Sequence, residues 1–283
     1  MSEEKASRID TAIEKVPVNP DYLAKYTQED TSLDSLKEYR VVPRFKIIQA
    51  TTEEELKRNF GEGSAIIRPG DVMICKHKDE PNSFEFVPLF FLVEWAKWRD
   101  LRGNGPMILD RSNDPLSEVA LKAKGSNTRK ELYEGHDRMQ DKDKMYYSNV
   151  EHLRFIGIIY GDHPLVGTPV TLSFERGEWG QGKNFISAVS LRRQMINGVS
   201  TPIPLWAQVW KLSTVHHAPD ATRKWYGFKF EAAAQSIINQ EDAENMRSLH
   251  LEFKDLFEKQ RLMVQDEEVV DVDEASVKAT SEF

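Results

Sequence analysis

The run FEFVPLFFLVEWAKWRD, residues 84–100, limits the fold of this chain more than any other segment. Its aromatic and β-branched residues favour a β-strand. Pro88 has no backbone N–H, so it predicts a sheet edge or a β-bulge within that strand. Glu94 and Lys97 interrupt the apolar run, which is too short and too polar for a transmembrane helix. We therefore expect a long strand in a soluble protein.

Further segments with the same composition predict a protein built mostly of strands. These are VVPRFKIIQ from residue 41, Val72–Lys76, EHLRFIGIIYG ending at Gly161, Pro169–Phe174, PLWAQVWKLSTV and KWYGFKFEAA. Glycine-interrupted strands with helices between them are typical of a small, partly open β-barrel, of which the oligonucleotide-binding (OB) fold is an example. The predicted fold class is mainly β (α+β), an OB-like barrel with peripheral helices.

Four helices are predicted from caps and periodicity. Thr52 and Glu55 form a capping-box pattern that predicts a short helix in TTEEELKRN. Asp114 and Pro115 predict a helix start in DPLSEVALKAK. A third helix follows the glycines of RGEWGQGKNF and extends through Arg192 to Met195. The fourth is a long amphipathic helix over 239–264, which packs either on its own domain or on a partner helix.

These elements suggest a division of the chain into four regions. Residues 1–40 are polar and predict a flexible N-terminal arm. Residues 41–235 form the expected OB-like core, with an insertion at about 100–150. Residues 236–265 contain the C-terminal amphipathic helix. Residues 266–283 are strongly acidic and predict a disordered tail.

The distribution of charge along the 283 residues is uneven. The net charge is −8, and residues 266–283 contribute −6 with seven acidic residues and one lysine. Residues 166–230 instead carry eight basic and three acidic residues, a net charge of +5. This asymmetry suggests a nucleic-acid partner, although an ordinary solvated surface gives the same pattern. The N-terminus has no apolar signal segment, and the single cysteine is typical of a reducing cytoplasm.

No sequence motif indicates an enzyme or a cofactor site. Phosphate-binding loops, nucleophile elbows and paired metal-ligand motifs are absent from the sequence. Cys75 and His77 share a predicted strand face and could hold a metal ion, but ordinary structural roles remain the alternative. The glycines of RGEWGQGKNF could hold a phosphate at a helix start or form a plain loop. We predict a protein without catalysis, metal or cofactor.

Aromatic and basic residues share faces of three predicted strands. Trp225, Gly227 and Lys229 alternate on one face of KWYGFKF, while the opposite face is expected in the core. Trp206, Gln208 and Trp210 share a face in WAQVWKL, and Phe91, Trp95 and Lys97 do so in the long strand. Bases of single strands stack on exposed aromatic rings while phosphates pair with cations, although core packing is the alternative for each ring.

Four stretches resemble a family of bacteriophage single-stranded DNA-binding proteins over about residues 41–235. They are VVPRFKIIQA, RPGDVMIC with FEFVPLFFLVEW, VEHLRFIGIIYG with PVTLSF, and PLWAQVWKLSTV with RKWYGFKFE. The resemblance implies cooperative coating of single-stranded DNA in phage replication or recombination, within the host cytoplasm. Together with the aromatic–cation faces, it gives as candidate DNA-binding residues Trp95, Lys97, Arg176, Trp179, Lys183, Arg192, Arg193, Trp210, Trp225 and Lys229.

The acidic tail ends on an aromatic residue, as the resemblance also implies. We expect it to compete with DNA for the basic region and to dock replication or recombination proteins through Asp271, Asp273, Glu274, Glu282 and Phe283. Through its C-terminal amphipathic helix the chain could also form a homo-oligomer, and no membrane partner is expected. The alternative function is a non-enzymatic structural or interaction protein, such as an assembly or host-inhibitor factor, that uses the C-terminal helix.

Overall fold

The computed structural model describes residues 41–79, 81–101, 105–124, 129–132, 146–219, 223–259 and 263–264. Within these ranges the strands begin with β1 (Val41–Val42), β2 (Arg44–Ile47), β3 (Ala65–Arg68), β4 (Val72–Cys75), β5 (Ser83–Leu101), β6 (Gly105–Ser112) and β7 (Arg129–Leu132). The later strands are β8 (Tyr146–Tyr160), β9 (Pro169–Phe174), β10 (Arg193–Ile196), β11 (Val199–Pro202), β12 (Gln208–His217), β13 (Trp225–Ile237) and β14 (Met263–Val264). The α-helices of the described residues are α1 (Glu54–Phe60), α2 (Glu118–Ala123), α3 (Trp179–Leu191) and α4 (Gln240–Glu258).

Ten of these strands form one sheet, so the prediction of a mainly β protein is confirmed. Eight of them lie in the order β13-β12-β5-β8-β9-β2-β3-β4, while β6 also pairs with β5 and β7 with β8. All of these pairs are antiparallel except β2 with β9. Outside this sheet, β10 and β11 form a separate hairpin, and β14 pairs in parallel with β1.

The sheet curls into a half-barrel, which brings β13, at one end of the strand order, next to β2, the third strand from the other end. Gln49, just beyond β2, donates from Nε2 to the carbonyl of Tyr226 at 2.7 Å. The N–H of Tyr226 donates to Oε1 of Gln49 at 2.8 Å. The rings of Phe45 and Phe228 lie 5.7 Å apart between the same two strands. The carboxamide of Gln49 thus makes the two hydrogen bonds with β13 that a neighbouring strand would make.

Each side of the sheet carries its own hydrophobic core. One core contains Phe155, Phe174 and Trp210, with Phe185 of α3 packed among them. The other lies on the opposite face of β5 and β8, because successive residues of a strand point to opposite faces. The apolar side of α4 covers this second core. Of the two alternatives for the amphipathic helix, packing on its own domain is therefore confirmed.

Strand β5 is the long strand expected from the sequence, and Pro88 lies at a bulge. Its pairing with β8 shifts register between Pro88 and Phe90, so Leu89 is the extra residue. The prediction of a bulge is confirmed, and the edge alternative also holds locally, because β12 pairs with β5 only as far as Phe86 and β6 pairs with it only from Trp95. Opposite Pro88, a Cβ at Gly157 would collide with the carbonyl of Val87, so a glycine permits the close strand approach.

Two helix starts differ from the predictions. Helix α1 begins after Glu53, and the hydroxyl of Thr52 accepts from the N–H of Gln49 at 2.9 Å instead of forming a capping box. Helix α2 begins after Ser117, whose Oγ accepts from the N–H of Ala120 at 3.3 Å. Asp114 instead accepts from the N–H of Leu116 in a turn before the helix. In both cases a local side-chain turn competes successfully with the predicted cap.

Two helix ends also differ from the predictions. Helix α3 ends at Leu191, so Arg193–Ile196 form a strand and do not continue a basic helix. Helix α4 ends at Glu258, and Met263 lies in β14. The polar insertion at about 100–150 contributes β6 and β7 to the sheet, which its composition did not predict. Among the helices of the described ranges, none has the length and apolar character needed to cross a membrane.

Candidate nucleic-acid interface

A 3₁₀ turn, Arg176–Glu178, links β9 to α3 within the predicted basic region. Arg176 has a φ of 47°, a conformation that reverses the chain directly after β9. The helix begins at Trp179, so Gly180 and Gly182 are helical. A Cβ at Gly182 would lie 2.5 Å from Cβ of Phe174, so this glycine lets α3 pack closely on β9. The predicted glycine loop is therefore wrong, because Gly180 and Gly182 lie within α3, while phosphate binding at the start of this helix stays a prediction.

Trp179 and Lys183 form a cation–aromatic pair on the first turns of α3. Nζ of Lys183 lies 3.7 Å from the centroid of the Trp179 ring, since residues four apart share a helix face. Trp179 is half-buried, and its Nε1 donates to Oε1 of Glu151 at 3.1 Å. Lys183 is exposed. The ring is thereby fixed on one edge while its ammonium partner faces solvent.

Trp225 opens β13 directly beside the 3₁₀ turn. Its Nε1 donates to Oε1 of Glu178 at 2.5 Å, and its ring stacks with that of His217 at 5.2 Å. A Cβ at Gly227 would collide with the Glu178 carboxylate, so the space that Gly227 opens is occupied by this side chain. Burial raises the pKa of Glu178, although the hydrogen bond from Trp225 opposes this.

The turn and the start of β13 together form a surface that we call the basic–aromatic patch, comprising Arg176, Trp179, Lys183, Lys224 and Trp225. The turn and the start of β13 lie close together: even a Cβ added at Gly177 would be only 3.6 Å from the Trp225 indole. The three cations are exposed and the two tryptophans are half-buried. Four of these five residues were predicted to bind DNA, and Lys224 was not singled out.

Two other predicted tryptophans are buried. Trp95 is 5% exposed, packs against α2, and donates from Nε1 to Oε2 of Glu151 at 3.1 Å. Trp210 is 5% exposed and packs against the ring of Phe185 at 5.1 Å. The expectation that these rings are exposed is wrong. The alternation of side chains along a strand assigns each ring to a face of the sheet, and in the folded protein the curled sheet and the helices cover those faces. Neither ring offers a free face to a base.

The predicted arginines after α3 lie at the base of the β10–β11 hairpin. The guanidinium of Arg192 lies 4.9 Å from the centroid of the Trp210 ring and donates to the carbonyl of Val209 at 3.4 Å. Arg193 is exposed on β10 and donates to Oγ and the carbonyl oxygen of Ser200, at 2.9 and 3.0 Å. The two arginines thus lie beyond the C-terminal end of α3, whereas the patch lies at its N-terminal end.

The two predicted lysines outside this region pair with carboxylates. Lys97 lies 3.6 Å from Oε2 of Glu131, and its ammonium also lies over the Tyr147 ring at 4.3 Å. Lys229 is exposed and lies 2.9 Å from Oε1 of Glu231 on the same strand. Both lysines therefore have an anionic partner in the protein.

A buried charge network beneath the turn was not predicted. Nη2 of Arg154 lies 2.9 Å from Oε1 of Glu94, and both side chains are nearly inaccessible. Nδ1 of His152 lies 2.8 Å from Oε2 of Glu175, which directly precedes the turn. Burial raises the pKa of Glu175, but His152 and then Arg154 outweigh this effect and hold the pKa well below its ordinary value. The network fixes the end of β9. The sequence signal that could have predicted it is the presence of charged residues inside apolar strand segments.

The metal hypothesis for Cys75 and His77 gains no support from their surroundings. Cys75 is buried in the core, and burial raises the pKa of its thiol to about 12. Nδ1 of His77 lies 3.2 Å from the carbonyl of Thr214, and its ring packs against Tyr226. Within the ranges described above, no three His, Cys, Asp or Glu side chains form a group able to hold a metal ion.

The N-terminal arm and the predicted docking residues of the tail, Asp271, Asp273, Glu274, Glu282 and Phe283, lie outside the described residues. A protein-family model described as "Pam3 phage gp34-like protein" matches residues 14–259, which is most of the chain. Neither a search of curated proteins nor a search of solved structures found a match.

Proposed function

The chain belongs to the Pam3 phage gp34-like family, and on that premise we propose that it is a phage protein that binds single-stranded DNA. The observation that carries this proposal is the basic–aromatic patch. It joins half-buried indoles to exposed cations on one surface. Stacking on aromatic rings and neutralisation of phosphates are the two interactions that binding of single strands requires.

The exposed side of α3 extends this surface away from the patch. Residues 179–191 contain no carboxylate, and Lys183, Ser187 and Ser190 of this helix are exposed. A helix of 13 residues is about 20 Å long, so the surface continues to the arginines at the base of the hairpin. A polyanion can follow this length without meeting a negative side chain of the helix.

The curled sheet supports the proposal that the core holds single-stranded DNA as an OB fold does. OB folds hold single strands on a curved sheet and in the loops at its rim. The 3₁₀ turn and the start of β13 meet next to the contact between Gln49 and Tyr226, and we assign them the role of such a rim. On this basis the patch is the rim of an OB-like barrel.

In this proposal the acidic tail binds the same basic surface as DNA. Its −6 charge competes with DNA for the patch, and displacement by DNA exposes Phe283 to a replication or recombination protein. The tail follows β14, which is held beside β1 at the start of the core. Eighteen residues reach at most about 60 Å when extended, which limits the distance over which the tail can compete.

Fluorescence anisotropy with labelled oligonucleotides tests the proposal. We expect the full-length protein to bind a single strand more tightly than the same sequence as a duplex at low salt. Deletion of residues 266–283 is expected to raise affinity for the single strand. An absence of binding at low salt with both proteins would refute DNA binding, whereas equal affinity of the two proteins would refute only the competition by the tail.

A further inference from the structure

The β10–β11 hairpin projects from the end of α3 with an apolar tip. Its strands are joined by Asn197 and Gly198, whose φ values of 51° and 80° are those of a two-residue type I′ turn. Ile196 pairs with Val199 next to the turn, and Met195 pairs with Ser200 on the opposite face. Both faces of the tip therefore present apolar side chains.

This tip belongs to a concentration of exposed apolar residues. Eleven large apolar residues in the described part of the chain are exposed, and four of them lie between residues 191 and 199. The exposed fractions are 65% for Met195, 49% for Ile196 and 65% for Val199. Apolar side chains gathered at a projecting point are unfavourable in water, which indicates a partner.

The base of the hairpin is fixed by buried Gln208. Its Nε2 donates to the carbonyl of Val189 at 3.1 Å and to that of Ile203 at 3.0 Å, which joins the end of α3 to the residue after β11. Oε1 of Gln208 accepts from Nε1 of Trp210 at 3.2 Å. The N–H of Ile203 donates to the carbonyl of Arg192 at 3.0 Å. These hydrogen bonds thus fix the base of the hairpin relative to α3.

Charge identifies the partner of the tip. Residues 191–203 contain Arg192 and Arg193 and no acidic residue. Arg193 lies two residues before Met195 on the same face, so a cation accompanies an apolar side chain. This combination is complementary to a nucleic acid, which presents apolar base faces between phosphates. Proteins that unstack bases insert Met, Ile or similar side chains between them in this manner.

We propose that the hairpin is a wedge: Met195, Ile196 and Val199 insert between neighbouring bases of the bound single strand while Arg193 contacts a phosphate. This inference rests on the proposed DNA binding and adds a function to it. A strand that follows α3 from the patch is unstacked where it reaches the tip. The wedge would keep coated DNA open for pairing or copying.

The test uses the full-length protein and a single strand that contains 2-aminopurine, whose fluorescence rises when its neighbours unstack. The tip variant carries Met195→Gln, Ile196→Gln and Val199→Gln. The matched control carries Leu116→Gln, Leu121→Gln and Leu251→Gln, which remove three exposed apolar residues elsewhere. Thermal melting of both variants verifies the fold.

Saturating wild-type protein and the control are expected to raise the fluorescence. The tip variant is expected to lose this rise while its affinity stays within about threefold of wild type, because phosphate contacts dominate affinity. If the fluorescence rises as much with the tip variant as with wild type, or does not rise with bound wild-type protein, the wedge is overturned and the proposed function is left intact. A wild-type protein that fails to bind the strand would overturn both. Conversion of a wild-type oligomer to a monomer by the tip changes, seen by light scattering, would make the tip a contact between copies and also overturn the wedge.

Discussion

Trp225 donates from its indole Nε1 to Oε1 of Glu178 at 2.5 Å, which ties the first residue of β13 to the turn before α3. The N–H of Phe228 donates to the other oxygen of the same carboxylate at 3.3 Å. One acidic side chain therefore holds together two segments that are far apart in sequence. The bond fixes the orientation of an indole for stacking, and it also places a carboxylate within a surface proposed to bind a polyanion.

Replacement of Trp225 by alanine is expected to weaken binding of single-stranded DNA by about 1–3 kcal/mol, the contribution of one base stacked on an aromatic side chain. The side chain is half-buried and its loss removes one hydrogen bond to Glu178, so the melting temperature should fall, but by less than for a fully buried tryptophan. Anisotropy titrations and thermal melting measure the two effects. Unchanged affinity in a folded variant would remove Trp225 from the binding surface.

Glu178→Gln is expected to strengthen binding of single-stranded DNA. The amide oxygen can still accept from Trp225, the amide nitrogen cannot accept from the N–H of Phe228, and the negative charge near the phosphates is lost. The effect should shrink as salt is added, because added ions screen the charge. Anisotropy titrations at two salt concentrations provide the measurement. Weaker binding by a folded variant would mean that the carboxylate itself serves the interface.

Trp210→Ala is expected to lower the free energy of unfolding by about 3–5 kcal/mol, because it leaves a large cavity in a packed core. The ring is 5% exposed and contacts Phe185. Chemical denaturation of this variant beside Trp225→Ala compares a buried with a half-buried tryptophan. Equal stability of the two variants would contradict the assignment of Trp210 to the core.

Stability is expected to depend on pH through Glu175. Its pKa lies below the ordinary value in the folded protein, so its ionised form stabilises the fold above about pH 4.5 and this contribution is lost as the pH falls further. Denaturation of the wild type and Glu175→Gln between pH 7 and pH 3 measures the difference. The destabilisation caused by the substitution should be largest near neutral pH and smaller in acid; a constant difference would exclude this linkage.

The strands were predictable from the sequence because each is a local pattern. Aromatic and β-branched runs gave β5, β8, β9, β12 and β13, and Pro88 gave the bulge. The burial of Trp95 and Trp210 was not predictable, since alternation assigns a side chain to a face but does not say what covers that face. Helix α2 packs on Trp95 and Phe185 of α3 packs on Trp210, and both contacts form only in the folded chain.

The site was partly predictable for the same reason. Arg176, Trp179 and Lys183 are close in sequence, so their shared surface follows from a turn and the first part of a helix. Their proximity to Trp225 depends on the curl of the sheet. The pairing of Glu94 with Arg154 depends on the register of β5 against β8, which no local pattern specifies.

The salt dependence of binding tests the patch most directly. We compare wild-type protein with Arg176→Gln/Lys183→Gln. The control, Lys254→Gln/Lys259→Gln, removes two exposed cations in and directly after helix α4, which covers the other core of the sheet. For single strands the slope of log affinity against log salt changes by about 0.7 for each phosphate contact, so the patch variant should lose about 1.4 from the slope. The control should keep the wild-type slope. Equal slopes for the patch variant and the wild type would contradict DNA binding at this surface.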